Sequence, residues 1–66
     1  MWATFRTAPN RVVARMWQEL FEEEGIPCKL WVELDQLDLG DAAPHRVLIP
    51  LGRTHVAEEV LRQLKR

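Results

Sequence analysis

The chain of 66 residues predicts an α+β domain, in which a three-stranded sheet carries two helices on one of its faces. Three short segments alternate apolar and polar residues, and two longer segments repeat apolar residues at helical spacing, in the order strand–helix–strand–strand–helix. Both amphipathic helices must bury an apolar stripe, and one face of the sheet is the surface that can serve both. A chain of this length forms one domain, residues 1–66.

The first two predicted elements are a strand over residues 2–7 and a helix over residues 10–24. Dense aromatic and β-branched residues favour the strand, and the spacing of apolar residues favours the helix. Asn10 is the candidate N-cap, with a start at the preceding proline as the alternative. Gly25 and Ile26 predict a Schellman motif at the helix end. The predicted apolar stripe comprises Val12, Val13, Met16, Trp17, Leu20 and Phe21.

The second half of the chain predicts two strands and a helix. Alternating residues favour a strand over 28–34 and another over 46–51. The connection over 35–45 is long for a hairpin, and we expect a loop there. Residues 54–65 predict a helix with acidic residues in its first turn and basic residues in its last, as the helix dipole favours. The inner face of this helix comprises Val56, Ala57, Val60, Leu61 and Leu64.

The expected sheet has the spatial order two–three–one. A right-handed crossover, applied to strands one and three, makes them parallel neighbours, and strand two then runs antiparallel to strand three. This is a split β-α-β arrangement of the ferredoxin-like type without its last strand. The outer edge of strand one contains no proline or lysine, so it is available to pair with another chain. Alternation turns one set of side chains toward the helices, namely Ala3, Phe5, Cys28, Leu30, Val32, Val47 and Ile49.

The other sheet face has no helix to cover it. Alternation places there Trp2, Thr4, Arg6, Lys29, Trp31, Glu33, Arg46, Leu48 and Pro50. Large exposed apolar patches usually mark interaction surfaces. The candidate interaction residues are Trp2, Trp31, Leu48, Arg6 and Arg46. If Leu37 and Leu39 of the long connection cover the rings, the patch is instead a satellite core cluster.

Composition excludes several classes of protein. The net charge is −1, with 9 basic and 10 acidic side chains, which argues against nucleic-acid binding. We expect no membrane span and no signal peptide, and therefore a cytoplasmic protein. Cys28 is the only cysteine, so an internal disulfide is excluded. A domain this small without a covalent staple favours self-association.

Candidate sites for chemistry are weak, and we expect no catalytic residue, no cofactor and no metal. The acidic residues Asp35, Asp38 and Asp41 lack EF-hand spacing, and solvated loop positions explain them better. Cys28 is expected in the core. The two histidines, His45 and His55, are expected in solvent at the ends of elements. The turn at Arg53 and Thr54 is a candidate anion site, although Thr54 acting as a helix cap is the simpler interpretation.

Three segments resemble one bacterial family. They are the helix exit Leu20–Cys28, the strand Arg46–Pro50 and the start of the last helix, Ala57–Leu61. Through these segments the chain is similar to the prokaryotic signal-transducing protein family, and the resemblance extends along nearly its whole length. The resemblance implies a PII-like, ferredoxin-like fold and a signalling role, with the loop over 35–45 as a second candidate contact site. It implies no catalytic residue.

These observations predict a small non-enzymatic regulatory or protein-interaction module. We expect a homodimer or a protein partner, bound through the open sheet face or the edge of strand one. The alternative is a sensor of a small ligand or nucleotide. Binding of single-stranded RNA on the sheet is a weaker third hypothesis, because the near-neutral charge and the absence of an RNP-like aromatic run argue against it.

Overall fold

The computed structural model describes residues 1–64, and the predicted order of elements is confirmed over that range. The elements are strand β1 (Trp2–Ala8), helix α1 (Arg11–Glu23), strand β2 (Lys29–Trp31), strand β3 (His45–Pro50) and helix α2 (Thr54–Leu64). Two 3-10 segments, Leu34–Ala42 and Leu51–Arg53, precede β3 and α2. The fold is therefore α+β, and its three strands lie in the predicted order, β1–β3–β2. Residue 65, the predicted end of the second helix, lies outside the described residues.

The predicted direction of β1 relative to β3 is wrong. Both β1 and β2 run antiparallel to β3, so the sheet is antiparallel throughout. The crossover rule applies to the two strands that a helix connects. Helix α1 connects β1 to β2, and these two strands do run in the same direction, with β3 inserted between them. The rule does not constrain β1 and β3, because the connection between them passes through β2.

Both ends of α1 are formed by the predicted caps. The side chain of Asn10 accepts a hydrogen bond of 3.0 Å from the backbone N–H three residues later. At the other end Gly25 has a φ of 78°, and its N–H donates to the carbonyl of Glu22 at 3.0 Å. The N–H of Ile26 donates to the carbonyl of Phe21 at 2.8 Å. These two bonds define a Schellman motif, and the Ile26 side chain is fully buried.

The core lies between the sheet and both helices. Phe5 of β1 meets Phe21 of α1 edge to face, with 5.6 Å between ring centroids. Ala14 is fully buried, whereas Val12 of the predicted stripe is 75% exposed. The contact face of α1 is therefore narrower than the apolar stripe, and a small residue at its centre allows the helix to approach the sheet. The buried apolar cluster comprises Ala8, Ala14, Phe21, Ile26, Cys28, Val47, Ile49, Ala57 and Leu61.

The connection between β2 and β3 is not the open loop that the sequence predicts. Strand β2 ends at Trp31, three residues before the predicted end. The 3-10 segment Leu34–Ala42 follows, with a kink at Gly40, whose φ is 59°. None of its nine residues is buried.

No helix within the described residues is long and apolar enough to cross a membrane.

Candidate interaction surface

The sheet face opposite the helices carries both predicted tryptophans. In the β1–β3 ladder, Trp2 pairs with Pro50, and the neighbouring position on β3 is the buried Ile49. In the β2–β3 ladder, Trp31 pairs with Arg46, next to buried Val47. Successive residues of a strand point to opposite faces, so both rings lie away from the core. We define the open face as Trp2, Thr4, Thr7, Lys29, Trp31, Arg46, Leu48 and Pro50.

Leu48 occupies the centre of the open face. It lies on the middle strand, paired with Thr4 on one side and with Lys29 on the other. Trp2 pairs with Pro50, two residues after Leu48 on β3, and Trp31 pairs with Arg46, two residues before it. Because the tryptophans are on opposite edge strands, a straight diagonal joins Trp2, Leu48 and Trp31.

The rings on this diagonal are accessible to solvent. Trp31 is 54% exposed and Trp2 is 39% exposed. Leu37 and Leu39, which were candidates to cover them, are themselves more than half exposed. The interpretation of the patch as a satellite core cluster therefore does not describe Trp31.

Lys29 lies against the Trp2 ring. Its Nζ lies 4.4 Å from the centroid of the Trp2 ring. The two residues are on opposite edge strands, so the lysine stem crosses the middle strand beside Leu48. A cation at this distance from an indole face is held by the ring quadrupole. This contact joins the two edge strands across the open face.

The positive charge of Arg46, one of the two arginines among the candidate interaction residues, is neutralised by an ion pair. Its Nη2 lies 2.6 Å from a carboxylate oxygen of Glu33, and both side chains are partly exposed. Glu33 immediately precedes the 3-10 segment. The ion pair therefore links the start of that segment to the beginning of β3, beside Trp31.

The predicted place of Arg6 on the open face is wrong. The β1–β3 register shifts between Thr4 and Arg6, which leaves Phe5 as an extra residue and pairs Arg6 with Val47. Such a bulge reverses the alternation beyond it. The Arg6 guanidinium lies 5.3 Å from the Phe5 ring centroid. It lines a shallow groove of about 190 Å³ on the α2 side, together with Glu58, Leu61 and Arg62.

The bulge also affects the edge of β1. Bulges twist edge strands and interrupt a regular ladder, so they are among the features that oppose edge-to-edge pairing. Beyond the strand, the N–H of Leu51 donates to the carbonyl of Met1 at 2.9 Å, which fastens the start of β1 to the end of β3. Of the two predicted routes to association, these features favour the open face.

Cys28 lies in the core, as predicted. Its side chain is 8% exposed, and burial, with a smaller contribution from the charge of Glu22, raises the pKa of the thiol to about 11. Its carbonyl accepts a hydrogen bond of 3.2 Å from Gln18 Nε2, which links α1 to the residue just before β2 and which the sequence does not predict. A protonated, buried thiol is a poor nucleophile.

The prediction of a solvated His45 is wrong, whereas His55 is exposed as expected. His45 is 7% exposed, and its Nδ1 lies 2.7 Å from the carbonyl oxygen of Ala43. Its position as the first residue of β3, paired with buried Ala8, turns the imidazole inward. Alternation counted from Val47 places His45 on the core side, and this signal was present in the sequence.

The predicted capping role of Thr54 is wrong, since its backbone is already helical, with φ −63° and ψ −42°. An N-cap residue has extended angles. The preceding 3-10 turn runs directly into α2.

One of the three aspartates in the 3-10 segment Leu34–Ala42 forms an ion pair. The Nη1 atom of Arg11 lies 3.5 Å from Oδ1 of Asp41, and both side chains are more than half exposed. Asp35 and Asp38 are exposed on the middle of the segment. Within residues 1–64, no group of three or more acidic, histidine or cysteine side chains is arranged to hold a metal ion.

No family model matches the chain, and no curated protein or solved structure matches it either. The resemblance to the prokaryotic signal-transducing protein family therefore stays a prediction.

Proposed function

We propose that this protein is a non-enzymatic regulatory module that associates with a second copy of itself through the open face. The observation that supports the proposal is the diagonal of Trp2, Leu48 and Trp31, on which the leucine is the midpoint. In a two-fold dimer, each contact between different residues occurs twice. An axis at Leu48 sets each Trp2 over the partner's Trp31, and the two leucines meet at the centre.

The strand directions of such a dimer are acceptable. An axis perpendicular to the diagonal crosses the strands of the two copies near the orthogonal class of sheet packing. The sheets then lie about 10 Å apart, with the indole rings between them. Large aromatic side chains are the residues most enriched at the centres of such interfaces.

The dimensions of the domain support the same arrangement. The Cα atoms span 32 × 29 × 15 Å. The short dimension corresponds to one sheet and one layer of helices, so the molecule is a slab with one side uncovered. A stable interface buries roughly 800 Å² on each partner. The whole broad side of the slab spans about that area, so such an interface extends beyond the three strands to the residues around them.

The finer features of the proposal follow the ferredoxin-like interpretation. The β1–α1–β2 unit with β3 between its strands supports a split β-α-β arrangement. A signalling role in the cytoplasm of a bacterium belongs to the same proposal, and only the resemblance of the helix exit, the strand Arg46–Pro50 and the last helix supports it.

A lysine at the centre of the open face tests the proposal. Leu48→Lys places a charge against its own copy on the two-fold axis, so we expect a monomer with an unchanged far-ultraviolet circular dichroism spectrum. Val12→Lys is the matched control, because Val12 is 75% exposed on α1, in the opposite layer. Native mass spectrometry of both variants decides. A wild-type monomer, or equal loss of dimer in the control, contradicts the proposal.

The alternative function, a sensor of a small ligand or nucleotide, gains no specific support. Asp41 is engaged by Arg11, and Glu33 is engaged by Arg46. A thermal-shift screen distinguishes the two functions, since a ligand that binds the folded chain raises the melting temperature by mass action.

A further inference from the structure

The 3-10 segment Leu34–Ala42 presents leucines to solvent. Leu34 is 82% exposed, Leu37 is 57% exposed and Leu39 is 52% exposed. Single exposed apolar residues are ordinary, but a cluster of large ones is typical of a contact site. Folding of the domain does not explain these leucines, because the segment contains no buried residue.

The 3-10 geometry arranges these side chains in rows. Residues three apart are eclipsed, so Leu34 and Leu37 share one ridge, and Asp35 and Asp38 share the next. The rise of a 3-10 helix separates the two leucines by about 6 Å along the axis. That spacing is close to the separation of side chains one turn apart on an α-helix, about 5–6 Å.

An ion pair lies near each end of the segment, and its middle carries uncompensated charge. Glu33 is paired with Arg46 before the segment, and Asp41 is paired with Arg11 near its end. Between these anchors, Asp35 and Asp38 take part in no ion pair with the described residues. The segment therefore presents an apolar ridge beside an anionic ridge, with an ion pair near each end.

We propose that Leu34, Leu37, Asp35 and Asp38 form a second docking surface, which binds a cationic amphipathic helix of a partner protein. Apolar residues of the helix lie on the leucine ridge, and lysine or arginine residues beside them reach the two carboxylates. Charge complementarity of this kind favours a basic partner over a neutral or acidic one. None of these four residues belongs to the open face as defined above.

A synthetic peptide probes this surface. The probe is a short helix with leucines on one face and lysines on the other, titrated against the full chain by calorimetry. We expect saturable binding that weakens with salt. A peptide with glutamates in place of the lysines, and a scrambled lysine–leucine peptide without an apolar stripe, are expected not to bind. Equal binding of either control peptide overturns the proposal.

Paired variants locate the site. The double variant Leu34→Gln, Leu37→Gln is expected to weaken binding of the peptide by about tenfold or more. Both side chains are exposed, so the melting temperature is expected to stay the same. Leu51→Gln is the control, because Leu51 is 58% exposed beyond the opposite end of β3. The same loss in the control overturns the proposal.

The dimer test remains separate from this one. The Leu48→Lys variant is expected to bind the peptide as tightly as the wild type, even if the chain never dimerises. If the double leucine variant abolishes the dimer, the segment belongs to the contact between copies, and the proposal of a partner helix is overturned.

Discussion

Lys29 and Trp2 lie on opposite edge strands, yet the lysine Nζ is 4.4 Å from the centroid of the indole ring. The side chain bridges the middle strand and covers part of the open face. Trp2 is therefore partly covered, whereas Trp31 is 54% exposed and no cation of residues 1–64 lies over its ring. This asymmetry leads to the first prediction.

Replacement of Lys29 tests the cation–π contact. Lys29→Met keeps an unbranched apolar stem over the ring but removes the charge. We expect the free energy of unfolding to fall by about 0.5–1 kcal/mol, the value of an exposed cation–π pair. Urea denaturation measures it. Lys29→Arg is the control and is expected to retain most of the stability, so an equal loss in both variants would argue against the contact.

Two glycines provide a matched pair of backbone tests. Gly25 has a φ of 78° and Gly52 has no positive φ, while neither has an atom within 4 Å of an added Cβ. Gly25→Ala is expected to lower the free energy of unfolding by about 1–2 kcal/mol, because a left-handed alanine is strained. Gly52→Ala is expected to change it by less than about 0.5 kcal/mol. Thermal unfolding compares them, and equal effects would contradict the Schellman cap.

The two histidines provide a second matched pair. His45→Leu removes the hydrogen bond to the buried Ala43 and leaves that carbonyl without a partner. We expect a loss of about 1–3 kcal/mol in the free energy of unfolding, the usual cost of an unsatisfied buried group. His55→Leu changes an exposed side chain and is expected to be nearly neutral. If His45→Leu leaves the free energy of unfolding unchanged, the imidazole is not buried in solution.

The Cys28 thiol predicts a stability that falls at high pH. In the folded chain its pKa is raised from 9.0 to about 11. Between these values the unfolded chain has released the proton and the folded chain still holds it. The folded state therefore binds more protons, and stability decreases as pH rises through this interval. The decrease is at most about 1.4 kcal/mol for each pH unit.

Denaturation curves across that interval measure the effect of the thiol. Lysines also titrate at high pH, so Cys28→Ala is needed as the reference. The alanine variant is expected to lose less stability than the wild type over the same pH range. Parallel curves for the two proteins would show that the thiol ionises normally.

The sequence predicted the positions of Trp2, Trp31 and Leu48 because alternation within a strand depends on backbone geometry alone. It misplaced Arg6 because nothing in the sequence around Phe5 marks the bulge. An inserted residue of this kind depends on the register with β3. The ion pair of Glu33 with Arg46 was also missed, since it joins residues from two different elements.

Local signals were reliable where the chain interacts with itself over a few residues. The caps at Asn10 and Gly25 are formed as predicted, because each depends only on the adjacent turn. The 3-10 segment was not predicted. Its leucines and aspartates have neither helical nor strand periodicity, so no repeating pattern in the sequence marks it.

Sedimentation equilibrium of the wild-type chain over a range of concentrations tests the open-face dimer most directly. The monomer has a mass of 7.7 kDa. If the indole rings of two copies interlock across Leu48, the apparent mass rises to twice that value at high micromolar concentration, and the Leu48→Lys variant stays at the lower mass. A wild-type chain that remains at 7.7 kDa throughout would contradict self-association through this face.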